Sequence, residues 1–471
     1  MTKKYFLSRH GCAKNQVDAE IMVGVLNQKG WNETEVPDDA SLIIINSCGF
    51  IEPAKKEAID AVLTARENHP NAKILLAGCL AQRYADLLAT ELDEADGFFG
   101  NGDILKIGDA VDELFWEPEF IPSDKELTFL RNKKKPVWLF PQEGVSCGAR
   151  PKLFNFPRSV YIKITEGCNH FCTFCAIPII RGRLRSRKIS DIVAEIESFI
   201  KQGYYEFNLI GQDLAAFQQE NTKSSQLANL LFSISELEGD FRIRLLYIHP
   251  DNFPFDILDI MAKDKRFLPY FDLPFQSASE KILKAMNRKG SPKKYLELIK
   301  KISSAFEKTE YSFVSIRTTF LTGFPGETNI DFEITLKFLQ DARTLWSGGF
   351  VFSAEDDTPA AKMKNNVKKS IAEKRKNLLQ DEQTKITTGL LENMVGNSFK
   401  VLVEEIIPPD EADRSFAIGR AWFQAPEVDG AVVVVYEPWQ TDIAGQSIKP
   451  GSIVNAKIEA VRGVDLEASA V

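Results

Sequence analysis

The feature that most constrains the fold is a strand–helix pattern that repeats between about residues 158 and 385. Repeated β/α units place parallel strands side by side, with their helices on the outside of the sheet. Six units therefore predict an incomplete (β/α)6 barrel that is open on one side. The six strand-like runs are 160–165, 206–210, 243–248, 270–275, 314–321 and 349–353.

The pattern changes on both sides of this region, which predicts four segments. Residues 1–117 alternate strand-like and helix-like stretches and indicate an α/β domain with a mostly parallel sheet. Residues 118–153 are irregular and predict a linker, and residues 154–390 hold the barrel. Residues 391–471 contain short strands separated by Pro, Gly and Asp, which is typical of a small antiparallel β-barrel. The predicted fold class is therefore α/β with a C-terminal β-barrel.

Three cysteines follow the first barrel strand, at Cys168, Cys172 and Cys175. Thiolates spaced C-x-x-x-C-x-x-C on one loop can hold three irons of a [4Fe–4S] cluster and leave the fourth iron open. Because a closed structural site needs four ligands, the missing one favours chemistry over a structural role. The alternatives are a zinc knuckle, with His170 as fourth ligand, or three unrelated buried cysteines.

A second set of three cysteines is spread along the N-terminal segment. Cys12, Cys48 and Cys79 each come just after a predicted parallel strand and beside a glycine. The carboxyl ends of parallel strands share one edge of a sheet, where ligands bind. We therefore expect these cysteines to converge on a second site that also lacks a fourth ligand. The alternative is that they are small apolar residues buried under the sheet.

The remaining bulk properties exclude several classes of protein. The seven cysteines are odd in number and do not resemble a secreted disulfide framework, and Cys147 reads as an incidental thiol. The sequence has no apolar run near the roughly 18 residues of a membrane helix and no signal peptide, so we expect a cytoplasmic protein without a membrane partner. A net charge of −8 argues against a large nucleic-acid footprint.

With both triplets, the chain resembles the methylthiotransferase family of radical S-adenosylmethionine (SAM) enzymes. The runs Gly11-Cys-Ala-Lys-Asn-Gln-Val-Asp-Ala-Glu20 and Ile45-Asn-Ser-Cys-Gly-Phe-Ile51 match its N-terminal domain. The predicted C-terminal barrel resembles its TRAM domain. Two features depart from the usual pattern, Ser277 where a His is common and His10 where an apolar residue is common. These departures concern details of SAM or substrate contact.

Within the family, the chain resembles the branch that modifies a small-subunit ribosomal protein, S-twelve. The motifs at residues 12–18, 244–250 and 419–430 favour this branch. Charge favours it too, since residues 397–471 contain six basic and twelve acidic residues, a net charge of −6. Such a surface repels phosphates and attracts a basic protein. The alternatives are a tRNA methylthiotransferase, and an iron–sulfur or zinc protein without catalytic activity.

The resemblance implies SAM and two [4Fe–4S] clusters as cofactors. It implies that Cys168, Cys172 and Cys175 hold the cluster that cleaves SAM, so that a 5′-deoxyadenosyl radical abstracts hydrogen from the β-carbon of an aspartate. It implies that the cluster on the N-terminal cysteines supplies the sulfur of the methylthio group. It assigns no catalytic side chain, and it requires an electron donor, such as a flavodoxin or ferredoxin, and a sulfur donor. No direct tRNA substrate is expected.

Weaker candidates lie at the ends of the barrel strands, where barrel sites gather. Gln212 and Asp213 follow the second strand, and Arg317 and Thr319 lie on the fifth; each is a candidate SAM contact. An ordinary loop or strand role is the alternative for each of them. A run of four arginines follows the loop with Cys168, Cys172 and Cys175, and we expect most of these side chains to face solvent: Arg181, Arg183, Arg185 and Arg187.

Overall fold

The structure of the chain is a computed structural model, which describes residues 3–116, 135–311, 313–408 and 415–471. It forms two parallel α/β units followed by a closed β-barrel. This arrangement confirms the predicted fold class. No helix within the described ranges combines the length and the apolar character needed to cross a lipid bilayer.

The N-terminal domain is a six-stranded sheet with helices on both faces. All its strands pair in parallel, in the spatial order β2-β1-β3-β4-β5-β6: β1 (Lys4–Arg9), β2 (Asn32–Glu33), β3 (Leu42–Ser47), β4 (Lys73–Gly78), β5 (Gly97–Phe99) and β6 (Val137–Trp138). Two helices cover one face and two the other: α1 (Ala13–Gln28) and α4 (Ile107–Leu114), then α2 (Glu52–Asn68) and α3 (Cys79–Glu91). The central strands β3 and β4 are buried on both faces, which explains their continuous apolar runs.

The predicted linker of residues 118–153 falls partly on residues 117–134, which lie outside the described residues. In its described part, β6 pairs with β5 and extends the N-terminal sheet. Arg150 donates hydrogen bonds to Glu20 of α1 and to the carbonyl of Tyr161, each 2.9 Å long. This segment therefore contacts the first two domains directly.

The central domain contains the six predicted barrel strands. All six pair in parallel in the spatial order β14-β13-β12-β11-β10-β7: β7 (Ser159–Lys163), β10 (Glu206–Ile210), β11 (Arg242–Leu245), β12 (Phe267–Asp272), β13 (Ser315–Thr322) and β14 (Trp346–Val351). Strands β7 and β14 are the two edges of this sheet, so the barrel is open between them, as predicted. A short antiparallel pair, β8 (Thr165–Glu166) and β9 (Arg185–Ser186), brackets the loop with the three clustered cysteines.

Helices cover the outer face of this sheet, and apolar side chains fill the space between the two layers. One of these helices begins with a capping box, which the Thr328 and Asp331 side chains form. The helices are α5 (Ile177–Ile180), α6 (Ile189–Lys201), α7 (Gln219–Thr222), α8 (Leu227–Ser235), α9 (Asp256–Lys263), α10 (Glu280–Ala285), α11 (Pro292–Phe306), α12 (Asn329–Ala342) and α13 (Lys369–Glu392).

The C-terminal domain is the predicted small barrel, closed by five strands in the order β15-β16-β17-β19-β18. Four of its pairings are antiparallel, and β17 pairs with β19 in parallel. A closed ring with an odd number of strands cannot alternate direction throughout, so one parallel pair is unavoidable. The strands are β15 (Ser398–Ile407), β16 (Ser415–Arg420), β17 (Val432–Tyr436), β18 (Ile453–Arg462) and β19 (Asp465–Ala470).

The loop between β16 and β17 closes the amino-terminal end of the open barrel. The carbonyl of Trp422 accepts a hydrogen bond from Arg244, and the carbonyl of Phe423 accepts one from Trp346, both 2.7 Å long. Buried Glu206 lies 3.0 Å from Arg244 and 2.8 Å from Arg420. These groups join the two domains and leave the carboxyl ends of the barrel strands as the open end.

Glu206→Ala should destabilise this contact between the domains. Removal of one partner of a buried ion pair leaves uncompensated charge and costs about 3–5 kcal/mol, here with Arg244 and Arg420 both left buried. We expect the free energy of unfolding in urea to fall by that amount. Glu238→Ala, at an exposed position, should change it little; equal effects of the two substitutions would contradict the account.

Candidate functional site

The first cysteine site consists of Cys12, Cys48 and Cys79. These residues follow β1, β3 and β4, which are neighbours in the sheet. The Asn15 side-chain oxygen lies 3.5 Å from the Cys12 Sγ and 3.6 Å from the Cys79 Sγ. The expected convergence of the three cysteines is therefore found, at the carboxyl edge of the N-terminal sheet.

Glycines allow this close approach. Gly11 has a φ of +101°, and a Cβ at this position would lie 3.0 Å from the Cys48 Cβ. A Cβ at Gly49 would lie 2.7 Å from the carbonyl oxygen of Cys79. A larger residue at either position would push the cysteines apart.

The second cysteine site consists of Cys168, Cys172 and Cys175 on the loop between β8 and α5. The Cys175 amide donates a 3.0 Å hydrogen bond to the Cys172 carbonyl, and the Cys168 amide donates a 3.2 Å bond to the Gly182 carbonyl. Burial raises the pKa of Cys168 and of Cys175 to about 12, and the neighbouring thiols add to the effect. Closely spaced buried thiols lose their protons most readily to a metal, whose positive charge replaces them.

Neither triplet is arranged, in the described part of the chain, as a site for a single metal ion. Over the described ranges, no three His, Cys, Asp or Glu side chains are placed closely enough to share one ion. His170, the alternative zinc ligand, is already engaged: its Nε2 lies 2.5 Å from Asp213, and its Nδ1 lies 3.4 Å from the Asn252 amide nitrogen. Its ring also stacks on His249, with centroids 4.1 Å apart.

Two of the predicted SAM contacts, Gln212 and Asp213, have different surroundings. Both side-chain atoms of Gln212 are buried and lack a hydrogen-bond partner among the described residues. Asp213 is fully engaged, because it pairs with His170 and accepts hydrogen bonds from the amides of Ala215 and His249, both 2.9 Å long. Because buried amides are almost always hydrogen-bonded, Gln212 fits a polar ligand that approaches this strand end, whereas Asp213 orients the loop.

Sequence reasoning missed Arg288, which lies near the second cysteine site. Its side chain is buried, and its Nε and one terminal nitrogen have no partner in the described part of the chain. Its charge acts on Cys172 and Cys175. The residue follows the short helix α10 in a run without a recognisable motif, so only the fold brings it to the site.

The predicted residues Arg317 and Thr319 face the interior of the barrel from β13. Arg317 pairs with Asp429 of the C-terminal domain at 2.7 Å, and Tyr270 donates a 2.7 Å hydrogen bond to the same carboxylate. Thr319 is half-buried. The C-terminal domain thus supplies the floor of the barrel interior.

Lys14 enters the same region from α1, where its ammonium lies 3.5 Å from the centre of the Tyr247 ring. No carboxylate of the described residues lies within ion-pair distance of it. Asp272 and Cys12 act on its charge from farther away. An ammonium placed between the first cysteine site and the barrel interior is therefore available to an anionic ligand.

The arginine run does not behave as expected. Arg181 and Arg187 are buried, whereas Arg183 is exposed. The prediction that most of the run faces solvent is therefore wrong. The buried guanidinium groups form ion pairs with carboxylates: Arg187 pairs with Glu195 at 2.5 Å, and Arg181 with Asp18 at 2.9 Å.

Known families cover most of the chain. Residues 4–100 match the uncharacterized protein family UPF0004, residues 162–339 the radical SAM superfamily and residues 395–471 the TRAM domain. Among solved structures, the radical S-adenosylmethionine methyltransferase TsrM from Kitasatospora setae has a TM-score of 0.53 and 14% identity, over 76% of this chain and 74% of that chain. That likeness is one of fold.

Curated relatives are similar over nearly the full length. The ribosomal protein uS12 methylthiotransferase RimO of Treponema denticola is 56% identical over 98% of this chain and 99% of its own length. The protein of the same name from Thermosipho africanus is 35% identical over 91% of this chain and 93% of its own length. That from Aquifex aeolicus is 35% identical over 97% and 94%.

Asp272→Asn tests the electrostatics of the barrel interior. Burial raises the pKa of Asp272 to about 6, against the lowering effect of Arg317. The pKa of an aspartate in an unfolded chain is about 4. Between these values the folded state binds more protons than the unfolded state, so the wild type loses stability as pH rises from about 4 to about 6.

The Asn variant lacks this loss. Its free energy of unfolding relative to wild type should therefore rise by about 3 kcal/mol across that window and stay constant above it, measured by urea unfolding at several pH values. Asp240→Asn, at an exposed position, is the control for the substitution itself. A flat difference for Asp272→Asn would contradict the account.

Proposed function

We propose, because this chain belongs to the RimO family of ribosomal protein uS12 methylthiotransferases, that it adds a methylthio group to the β-carbon of an aspartate in uS12. It is a radical SAM transferase and uses SAM and [4Fe–4S] clusters. The observation that carries the proposal is the presence of two three-cysteine sites, one in each of the two α/β domains. One site is available for SAM cleavage and the other for sulfur.

Each cysteine site holds one cluster in this proposal. Cys168, Cys172 and Cys175 are the ligands of the cluster that binds SAM, and Cys12, Cys48 and Cys79 are the ligands of the auxiliary cluster. When bound, these groups supply the 5′-deoxyadenosyl radical and the sulfur. The support is that neither site has a fourth cysteine within the described residues, which would leave one iron of each cluster open.

The remaining residues of the site bind and orient. Gln212 offers SAM a donor and an acceptor that have no partner among the described residues. Arg288 offers a cation to the anionic thiolates, or to a carboxylate. The Asp213–His170 pair and the stacked His249 hold the cysteine loop. Arg317 and Thr319 line the barrel interior and are proposed to face SAM or the substrate.

The nature of the substrate is supported by charge. Exposed acidic residues of the C-terminal barrel favour a basic protein over the phosphates of RNA: Glu405, Glu427, Glu437 and Glu459. The relatives compared above carry the uS12 name, which favours the ribosomal protein over the tRNA alternative. We place the reaction in the cytoplasm, with a flavodoxin or ferredoxin as electron donor and a separate sulfur donor.

Lys14 supports an acidic acceptor residue. No carboxylate of the described ranges lies within ion-pair distance of its ammonium. Lys14 follows Cys12 by two residues, and its ammonium faces the barrel interior beside Tyr247. An aspartate whose β-carbon reacts must bring its carboxylate to the same place. Lys14 is therefore proposed to hold that carboxylate, so that the β-carbon lies between the radical and the sulfur.

The mass of uS12 tests the function. In cells that lack this chain, uS12 should be lighter by one methylthio group, and the wild-type chain should restore the mass. Cys168→Ala and Cys12→Ala should not restore it, whereas Cys147→Ala, at an exposed thiol outside both sites, should. An unchanged uS12 mass, together with loss of a methylthio group from tRNA, would refute the proposal.

Lys14→Met tests recognition of the acceptor carboxylate. A hydrogen bond to a charged group contributes about 1.5–3 kcal/mol, so the affinity of the cluster-loaded protein for uS12 should fall about tenfold to a hundredfold. Lys14→Arg should lose less, and Lys56→Met, at an exposed position, should lose nothing.

The same measurement with uS12 whose acceptor aspartate is replaced by Ala completes a double-mutant cycle. We expect Lys14→Met to have no further effect on that substrate. An equal loss of affinity for both substrates would show that Lys14 does not contact the acceptor carboxylate.

A further inference from the structure

One buried arginine reaches from the second cysteine site to the first. Arg181 ends the short helix α5, six residues after Cys175, and only 2% of its surface is exposed. Its guanidinium donates a hydrogen bond to the Cys79 Sγ over 3.3 Å. A residue on the loop of the second site therefore contacts a proposed ligand of the first.

Surrounding side chains fix this guanidinium. The nitrogen that faces Cys79 also lies 2.9 Å from the Asp18 carboxylate and 3.1 Å from the Asn15 side-chain oxygen. The other terminal nitrogen pairs with Glu166. Because Asp18, Asn15 and Glu166 come from two domains, the position of Arg181 depends on the contact between them.

The charges around Arg181 leave a place for one more anion. Lys163 lies 2.6 Å from Asp18 and 3.6 Å from Glu166, and Arg185 lies 3.9 Å from Glu166. Together with Arg181, three cations therefore face two carboxylates. The Cys79 sulfur is a further acceptor on the same guanidinium. A buried cation of this kind stabilises a thiolate at that position, because hydrogen bonds between ionised groups are about twice as strong as neutral ones.

The backbone next to Arg181 contacts the second site. The Gly182 carbonyl accepts the hydrogen bond from the Cys168 amide, and a Cβ at Gly167 would lie 2.1 Å from the Arg183 carbonyl oxygen. The chain thus returns tightly against the start of the cysteine loop. Two consecutive residues, Arg181 and Gly182, therefore contact Cys79 and Cys168 respectively.

We propose that Arg181 is a positioning residue that sets the reduction potential of the auxiliary cluster through Cys79 and fixes the two cysteine sites relative to each other. This inference rests on the proposed function, which assigns a cluster to Cys12, Cys48 and Cys79. A reduced cluster carries one more negative charge than an oxidised one. A cation hydrogen-bonded to a ligand sulfur stabilises the reduced state more and raises the potential.

The test isolates the auxiliary cluster in a Cys168→Ala parent, reconstituted anaerobically as the full chain. Dithionite supplies one electron per cluster, and no bond forms or breaks in this step. The midpoint potential is read by electron paramagnetic resonance, and iron and sulfide are counted per chain. Three substitutions are compared with the parent: Arg181→Gln, Arg181→Lys and Arg183→Gln, the last an exposed arginine on the same loop.

We expect a lower midpoint potential in Arg181→Gln, a smaller shift in the same direction in Arg181→Lys and no shift in Arg183→Gln. If Arg181→Gln does not fold, Arg181→Lys alone decides, with a downward shift in support. Unchanged potentials in loaded Arg181 variants would overturn the inference. A parent without iron and sulfide would instead overturn the proposed auxiliary cluster, so the two failures are distinguishable.

Discussion

A buried ionic contact holds the two α/β domains together. Asp18 of α1 lies against Lys163 at the end of β7 and against Arg181 beyond the cysteine loop. Charges removed from water are tolerated only where they are paired and hydrogen-bonded, so this contact permits one arrangement of the domains. In that arrangement the carboxyl edges of two parallel sheets meet, and each edge carries three cysteines.

The C-terminal barrel completes the site from the opposite end. Its loop after β16 fills the amino-terminal end of the open barrel through Trp422 and Phe423, and Asp429 reaches inward to Arg317. The carboxyl ends of the barrel strands therefore remain as the open end. The domain has two roles in this account, as a floor for the cavity and as a surface for a basic protein.

Much of the fold could be predicted from the sequence, because strand–helix alternation and apolar periodicity are local signals. Cys12, Cys48 and Cys79 could be placed because each follows a strand, and Cys168, Cys172 and Cys175 because their spacing puts them on one loop. The environments of Arg181, Arg288 and Asp213 could not be predicted, since their partners come from distant segments. Nothing in the local sequence indicates that Arg181 pairs with two carboxylates and contacts a thiol. Nothing near Asp213 in the sequence indicates that its oxygens accept hydrogen bonds from other parts of the chain. The parallel β17–β19 pair follows from the closure of a barrel with five strands. The number of strands could not be predicted, because residues 398–471 contain fewer than five clear strand-like runs.

The central claim is that the two cysteine sites form one reaction centre, with both clusters close enough for radical and sulfur to meet on one carbon. Electron paramagnetic resonance of the fully loaded, dithionite-reduced protein tests this claim most directly, because neighbouring paramagnetic clusters interact. The account predicts a spectrum with spin–spin broadening or splitting that disappears in Cys12→Ala and in Cys168→Ala. A wild-type spectrum equal to the sum of the two single-cluster spectra would contradict it.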